Sequence, residues 1–568
     1  MALPPGYNIL LALGGMAGLV GGGWAMGAPS ADAVPAPAPA PVAVAESAAS
    51  PAQWDLRLTP QLMLGSVAAT APEALASLPE IPAQGELWLT PRLMLHLALV
   101  RGADIQYSRL AAVASGHLAR AEYGVFEPIA YASVRHEDRS RQRTAQELSS
   151  NIFTQNEQLL DEQVRAREIG IRGRMGLGGE MTVAYKRTAR SNNLIEDAFG
   201  NTAKRDTEYD AAYTVSFKQP LLRGFGSDAV DADSKVAELE WAIGKQQFRQ
   251  QVLRSGSDAL AAYWQLYRAS ESLKLRQMAK SNALAALADV EARIASGRMA
   301  PKTIFEARGV VAARTAEIFP AEQGVSEAEA KIKNLLNLGA QNYRDLHLIP
   351  RLPPSKDAAP ALQARPLEQA LQMWPGYRIA KLKQEQGRVR LNFAENQKKP
   401  VLDVVASCSS TRLSYESRYS ATNVFSSGHP DCYLGLNAEM PIGGNLRASE
   451  QHQAQRVRLI QSDVEIEAIR STLANDLQLR ERQLARAAEE VAEHRKDVAM
   501  RAKLLELEQT QFKFGLSPLG QVILRENELH AGQERLLDAL ARLELARVAV
   551  QVADGSLLDT HGVEWREE

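Results

Sequence analysis

The sequence is poor in cysteine, in net charge and in long apolar runs, and each shortage removes a class of protein. Its two cysteines, Cys408 and Cys432, form no C-x-x-C pair, and its nine histidines are scattered without H-E-x-x-H or any paired metal spacing. Neither cysteine lies near the N-terminus, which rules out a lipid-bearing cysteine there. A formal net charge of -2 gives no general attraction to nucleic acid. The glycine-rich GLGGE at 176–180 lacks the lysine of a phosphate loop and reads as a turn or strand. No catalytic constellation is present, so no enzyme activity, cofactor or metal is expected. Beyond the N-terminal leader, no segment reaches the roughly 20 apolar residues of a spanning helix. If this chain enters a membrane, it does so with strands.

What is present begins with an apolar, glycine-rich stretch at 8–26, followed by Ala31, Asp32 and Ala33, an A-x-A pattern of the kind signal peptidase accepts. Residues 1–33 therefore read as a secretory signal. The alternative, a single membrane anchor, fits less well because glycines at 14, 15, 18 and 21–23 interrupt the run. A proline- and alanine-rich linker with an N-terminal segment then occupies 34–86.

The rest of the chain says one thing twice, about 220 residues apart. Each statement is a β segment ending in proline, followed by a very long helical run. YTVSFKQPLLRGFG at 213–226 carries Pro220, and LGLNAEMPIGGN at 434–445 carries Pro441. After each junction come about 75 residues of heptad-like helix and then a glycine hinge, at Gly297 and at Gly515. The run 228–295 is nearly free of helix breakers and would reach roughly 100 Å at 1.5 Å per residue. Such a rod must pack on other long helices. Its return limb, from 302 to 338, is expected to break at Pro320 and Gly324. The second copy repeats the design, with limbs at 447–513 and 519–552. Units follow: a first repeat at 87–338, a connector at 339–364, a second repeat at 365–554 and a tail at 555–568. In the first repeat Thr90 and Pro91 supply an N-cap and first helical position.

Strand alternation is clearest before the two prolines. Tyr213, Val215 and Phe217 share one face in the first copy, and Leu434, Leu436, Ala438 and Met440 share one in the second. One apolar and one polar face describe either a sheet wet on one side or a membrane barrel wall. The partner strand is the run from Pro128 or the run from Gly179 in the first copy, and the run from Pro400 in the second. Between the two first-copy candidates, 140–178 reads as a charged, partly helical insertion. Tyr123, Tyr131, Tyr185, Tyr209 and Tyr213 are candidates for an interfacial aromatic girdle, with ordinary strand packing as the alternative. Cys408 and Cys432 flank a polar loop on the two arms of one hairpin, where a bridge suits an oxidising compartment; the alternative is two thiols whose register misses bonding distance. Two hairpins give about four wall strands, too few to close a cylinder, so a membrane role requires oligomerisation.

QPLLRGFG at 219–226, AYWQLYRASESLKL at 262–275 and the two glycine tips resemble the TolC-type outer membrane factor family across about 87–554. The resemblance implies an α+β membrane protein: a homotrimer in which each chain lends four strands to one twelve-stranded barrel in outer membrane lipid. A coiled-coil helical tunnel continues it into the periplasm. It implies an exit duct for drugs or metals delivered by an inner membrane transporter through a periplasmic adaptor protein, with the outer membrane component of type I protein secretion as the alternative. A secreted structural coiled-coil protein is the reading from another class. Adaptor docking falls at Gly297, Arg298, Pro301, Gly515, Leu516 and Pro518. The family's acidic entrance-gate positions correspond here to Thr303, Gln521 and Leu524, which carry no charge, while Glu306, Glu526 and Glu528 lie nearby.

Overall fold

The computed structural model describes residues 54–55, 81–146, 159–193, 207–339, 341–351, 365–417 and 430–564. All of these fall in one compact unit within Gln53–Glu568. The signal at 1–33 and most of the 34–86 segment lie outside the described residues.

The chain opens with β1 (Trp54–Asp55) and β2 (Gly85–Leu89), then α1 (Pro91–Arg101) and α2 (Ala103–Ala121). Thr90 caps α1 by accepting from the Leu93 amide at 3.2 Å, with Pro91 in the first turn. Four strands follow: β3 (Ile129–Gln142), β4 (Leu159–Arg174), β5 (Glu180–Asn192) and β6 (Glu208–Pro220). The long α3 (Ala232–Ala295) descends and α4 (Thr303–Leu335) returns. Then come β7 (Leu346–Pro350), α5 (Leu367–Met373), α6 (Pro375–Gln397), β8 (Val401–Ser414) and β9 (Pro430–Glu439). The second long pair is α7 (Leu446–Lys513) and α8 (Leu519–Ala553), and β10 (Val563–Glu564) closes the chain against β1. None of the described helices is long and apolar enough to cross a membrane.

Three expectations need correction. The sheet has six strands per chain, in the order β3-β4-β5-β6-β8-β9 and antiparallel throughout, rather than four. Both first-copy candidates for the wall strand belong to it. The second correction explains the first: 159–174 is strand, not a helical insertion. Its Glu, Gln, Arg and Ala favour helix in isolation, but cross-strand pairing overrides propensity. Glu162 of β4 pairs with Arg190 of β5 at 3.1 Å, and Glu168 accepts from the Tyr131 hydroxyl of β3 at 2.9 Å. Third, α4 runs unbroken through Pro320. The Ala316 carbonyl loses its helical donor there, and Arg276 of α3 donates to the neighbouring Glu317 carbonyl at 3.4 Å. Pro320 and Gly324 line a hollow of about 460 Å³ between the two helices.

The helical core gathers where α1, α3 and α4 meet the parallel pair β2–β7, which lies within the first repeat's edge and the connector. The AYWQLYRASESLKL motif supplies it. Tyr263, Trp264 and Leu266 are buried beside Met94, Leu97, Ile332 and Leu346, and Tyr263, Trp264 and Tyr267 stack edge to face.

Candidate functional site

Three places hold the residues singled out by sequence: the sheet, the strand-to-helix junctions and the two helical turns.

The register of the sheet sorts its side chains into two faces. One face carries Ala130 and Ala132 of β3, Ile169 and Ile171 of β4, Met181, Val183 and Tyr185 of β5, and Tyr213, Val215 and Phe217 of β6. Val404 and Ala406 of β8 and Leu434 and Leu436 of β9 continue it. Several of these apolar groups are open on the sheet's surface: Leu434 is 77% exposed, Leu436 70% and Ile169 60%. Along β8 the apolar span from Leu402 to the row of Ser410 measures about 27 Å at 3.4 Å per residue. The other face at the same height is polar. It holds Arg172, Arg174, Glu180, Thr182, Ser216, Lys218, Asp403 and Ser407, with Lys218 paired to buried Asp403 at 3.0 Å. Tyr185, Tyr209 and Tyr213 stand together on the apolar side. Tyr131 stands on the polar face and Tyr123 lies off the sheet, hydrogen-bonded to Glu238 at 2.6 Å.

The β4–β5 connection on the helix side is a tight turn closed by Met175 N–H to the Gly179 carbonyl at 2.7 Å, which is the role GLGGE plays. Connections at the far end, 143–158, 193–207 and 415–429, are much longer. On β8 and β9, Cys408 stands directly opposite Cys432, their Cα atoms 4.1 Å apart and their sulfurs bonded.

Pro220 ends β6, and Pro441 follows β9. Sequence reasoning missed what fastens these junctions, the C-terminal end of α6. Buried Asn396 accepts from the Gly224 amide at 2.7 Å and donates to the Leu222 and Phe225 carbonyls at 3.5 and 3.3 Å. Next to it, Gln397 accepts from Arg223 at 2.8 Å through its side chain and from Asn445 at 3.0 Å through its backbone. Asn445 in turn caps α7. The only signal in the sequence was two polar amides just before a proline, at 396 and 397.

The two turns at the far ends of the long helices share one geometry. Gly297 and Gly515 take left-handed conformations, φ 72° and 76°. In each, the glycine amide donates three residues back and the next amide five back: Arg298 to the Arg293 carbonyl and Leu516 to the Gln511 carbonyl, both at 2.9 Å. This is the Schellman arrangement, for which a left-handed glycine is the cheapest residue. The turns pack together through Val290, Ala307 and Leu519, and Arg293 lies 4.9 Å over the Phe512 ring. Arg298 and Pro301 are exposed, Leu516 is 78% exposed, and Pro518 opens α8 in an extended conformation.

Thr303 is half-buried at the start of α4, while Gln521 and Leu524 are exposed on α8. The nearby acids differ in their surroundings. Glu528 pairs with Arg525 at 2.9 Å and sits 3.9 Å from Arg501. Burial pushes the Glu526 carboxyl up, against the pull of Arg314 and a hydrogen bond from Gln509. Glu306 alone is exposed.

No family model and no curated protein matches the chain by sequence. Its fold does match. The structure is similar to that of CusC, a protein whose crystal structures bear on the conformational changes accompanying its folding and transmembrane channel formation, at 14% identity over 84% of this chain and 95% of that one, TM-score 0.58. It is similar to the outer membrane protein VceC from Vibrio cholerae, at 13% identity over 82% and 99%, TM-score 0.56. The open-state outer membrane channel MtrE of Neisseria gonorrhoeae matches at 15% identity over 82% and 89%, TM-score 0.56. The fold is shared with these solved outer membrane channels.

Proposed function

We propose that the protein is a passive exit duct of the bacterial outer membrane, extending into the periplasm. One observation carries the reading: a sheet apolar on one face and polar on the other, joined directly to helices of 64 and 68 residues. At 1.5 Å per residue these are about 100 Å long. Lipid accepts the apolar face, and the polar face lines a water-filled path. A secreted coiled-coil scaffold would instead hold that apolar face in water, an aggregation hazard. The channel fold supports a conducting role over a catalytic one.

A single sheet leaves the edges of β3 and β9 unpaired, which lipid forbids. Strand direction alternates across all six, so β9 of one copy can pair antiparallel with β3 of the next. Three copies, the number the family resemblance implies, close at eighteen strands rather than twelve. The exposed stripe Val457, Ile460 and Val464 on α7 supplies an apolar helix face for such a neighbour. At the other end, exposed Phe305, Phe514 and Leu516 beside Arg298, Pro301 and Pro518 form the docking surface for a periplasmic adaptor, which links the duct to an inner membrane transporter. Small molecules such as drugs or metals are the first reading of the cargo. The enlarged wall favours a second, type I protein secretion, because a wider bore admits a polypeptide.

Extraction from outer membranes in mild detergent, followed by mass measurement and planar-bilayer recording, tests the duct. A conducting trimer is expected. A soluble, non-conducting species would overturn the reading.

A further inference from the structure

Above the apolar band, the same outward face changes character. Arg165 and Arg167 of β4 and Arg187 of β5 project from it, and Arg412 of β8 lies two strands away in the same cross-strand row. Arg167 stands directly opposite Arg187. Like charges in direct cross-strand register are destabilising, and an anion between them reverses the sign. The acids on this face lie farther up: Asp138, held by His136 at 3.3 Å, and Asp161. Among the described residues neither Arg165 nor Arg167 has an ion-pair partner. Arg187 is instead oriented, donating to the Ser417 carbonyl at 3.0 Å and lying 5.6 Å over the Tyr209 ring.

These groups surround a cavity of about 350 Å³, lined by Gln163, Arg165, Arg167, Arg187, Tyr209 and Ser417. Every strand residue lining it belongs to the outward face by register. Its position decides the ligand. The rows immediately below hold Tyr185, Tyr213 and Ile169, the aromatic and apolar upper margin of the band. Guanidinium groups at that height face the headgroup layer, where planar forks match phosphate oxygens. We infer that the cavity binds the phosphate groups of an anionic glycolipid in the outer leaflet. The inference rests on the duct reading, which makes this the lipid-facing side.

The test is a titration of the detergent-solubilised full chain, followed by native mass spectrometry. The probes are a diphosphorylated lipid A, the same lipid with its phosphates removed, and inorganic phosphate. The wild type should retain the diphosphorylated lipid at least tenfold more tightly than the dephosphorylated one, and the triple variant R165Q/R167Q/R187Q should lose that preference. Arg165→Gln alone, which leaves the Arg167–Arg187 row intact, should lose part of it. R172Q/R174Q, with two charges removed from the opposite face, should keep it. Equal retention of the two lipids, equal loss in the opposite-face variant, or inorganic phosphate competing at micromolar concentration would each overturn the proposal. Conductance in phosphatidylcholine bilayers is read separately: failure of the wild type to conduct overturns the duct, whereas a conducting wild type without lipid preference overturns only the lipid site.

Discussion

Single residues hold the transitions in this chain, and Asn396 is the clearest. It satisfies one amide and two carbonyls of the turn after Pro220 from within a buried site. Asn396→Ala would leave those groups unpaired at a cost of roughly 2–4 kcal/mol. The loss should show as a lower unfolding temperature of the assembled protein, with Gln397→Ala milder because Gln397 acts on exposed groups. A second residue effect is pH-dependent. Burial, reinforced by Arg92 and His96, lowers His561 to about 4. Its neutral form is therefore favoured in the folded state, and its contribution is fully present above pH 6.5 and lost as pH falls toward 4. At about 1.4 kcal/mol per unit, on the order of 3 kcal/mol is at stake. The protection factors of the amides of 557–564, corrected for the intrinsic exchange rate at each pH, should fall at pH 4.5 relative to pH 7.5; equal protection factors would refute the assignment. In the duct proposed above, the uncharged Thr303, Gln521 and Leu524 predict a channel insensitive to multivalent cations added from the helical side. Leu524→Asp should introduce block in single-channel recordings.

At the scale of elements, the helical half was legible and the sheet only in part. Long breaker-free runs, the Thr90 cap and the tip glycines follow local rules, so the helix bounds fell within a few residues of those observed. β4 did not, because its charged residues are explained by partners on β3 and β5 that sequence proximity does not reveal. The short β2–β7 pair was invisible for a similar reason: its partners lie on opposite sides of the first repeat. Asn396 lacks any motif, since its role exists only once α6 meets the turn after β6. Two predictions belong here. The bond between Cys408 and Cys432 closes a separation of 24 residues, worth about 3 kcal/mol in the chain-entropy account. Reduction should lower the unfolding temperature of the wild type and leave a Cys408→Ser/Cys432→Ser variant unchanged. Leu516→Asp, placing charge on the exposed tip, should reduce adaptor cross-linking at Arg298 severalfold with bilayer conductance intact.

For the whole molecule, strand number is the quantity to measure. With strands about 4.8 Å apart and tilted about 40°, barrel diameter is near 36 Å for eighteen strands and near 24 Å for twelve. Electron microscopy of the purified assembly distinguishes the two. Removing 143–207 and joining β3 to β6 should give the narrower wall on an unchanged helical part; failure to assemble would show that β4 and β5 are indispensable to closure.

Connectivity adds one mechanical point. β3, β6, β8 and β9 each lead into or out of a helix, whereas β4 and β5 are joined to each other by the short turn at 175–179. Any twist or parting of the rods is therefore carried covalently into the sheet through four strands, while the remaining third of the wall is coupled from below by hydrogen bonds at its turn, where the Leu177 carbonyl accepts from the Gly226 amide at 3.4 Å and from the Gln219 side chain at 3.2 Å.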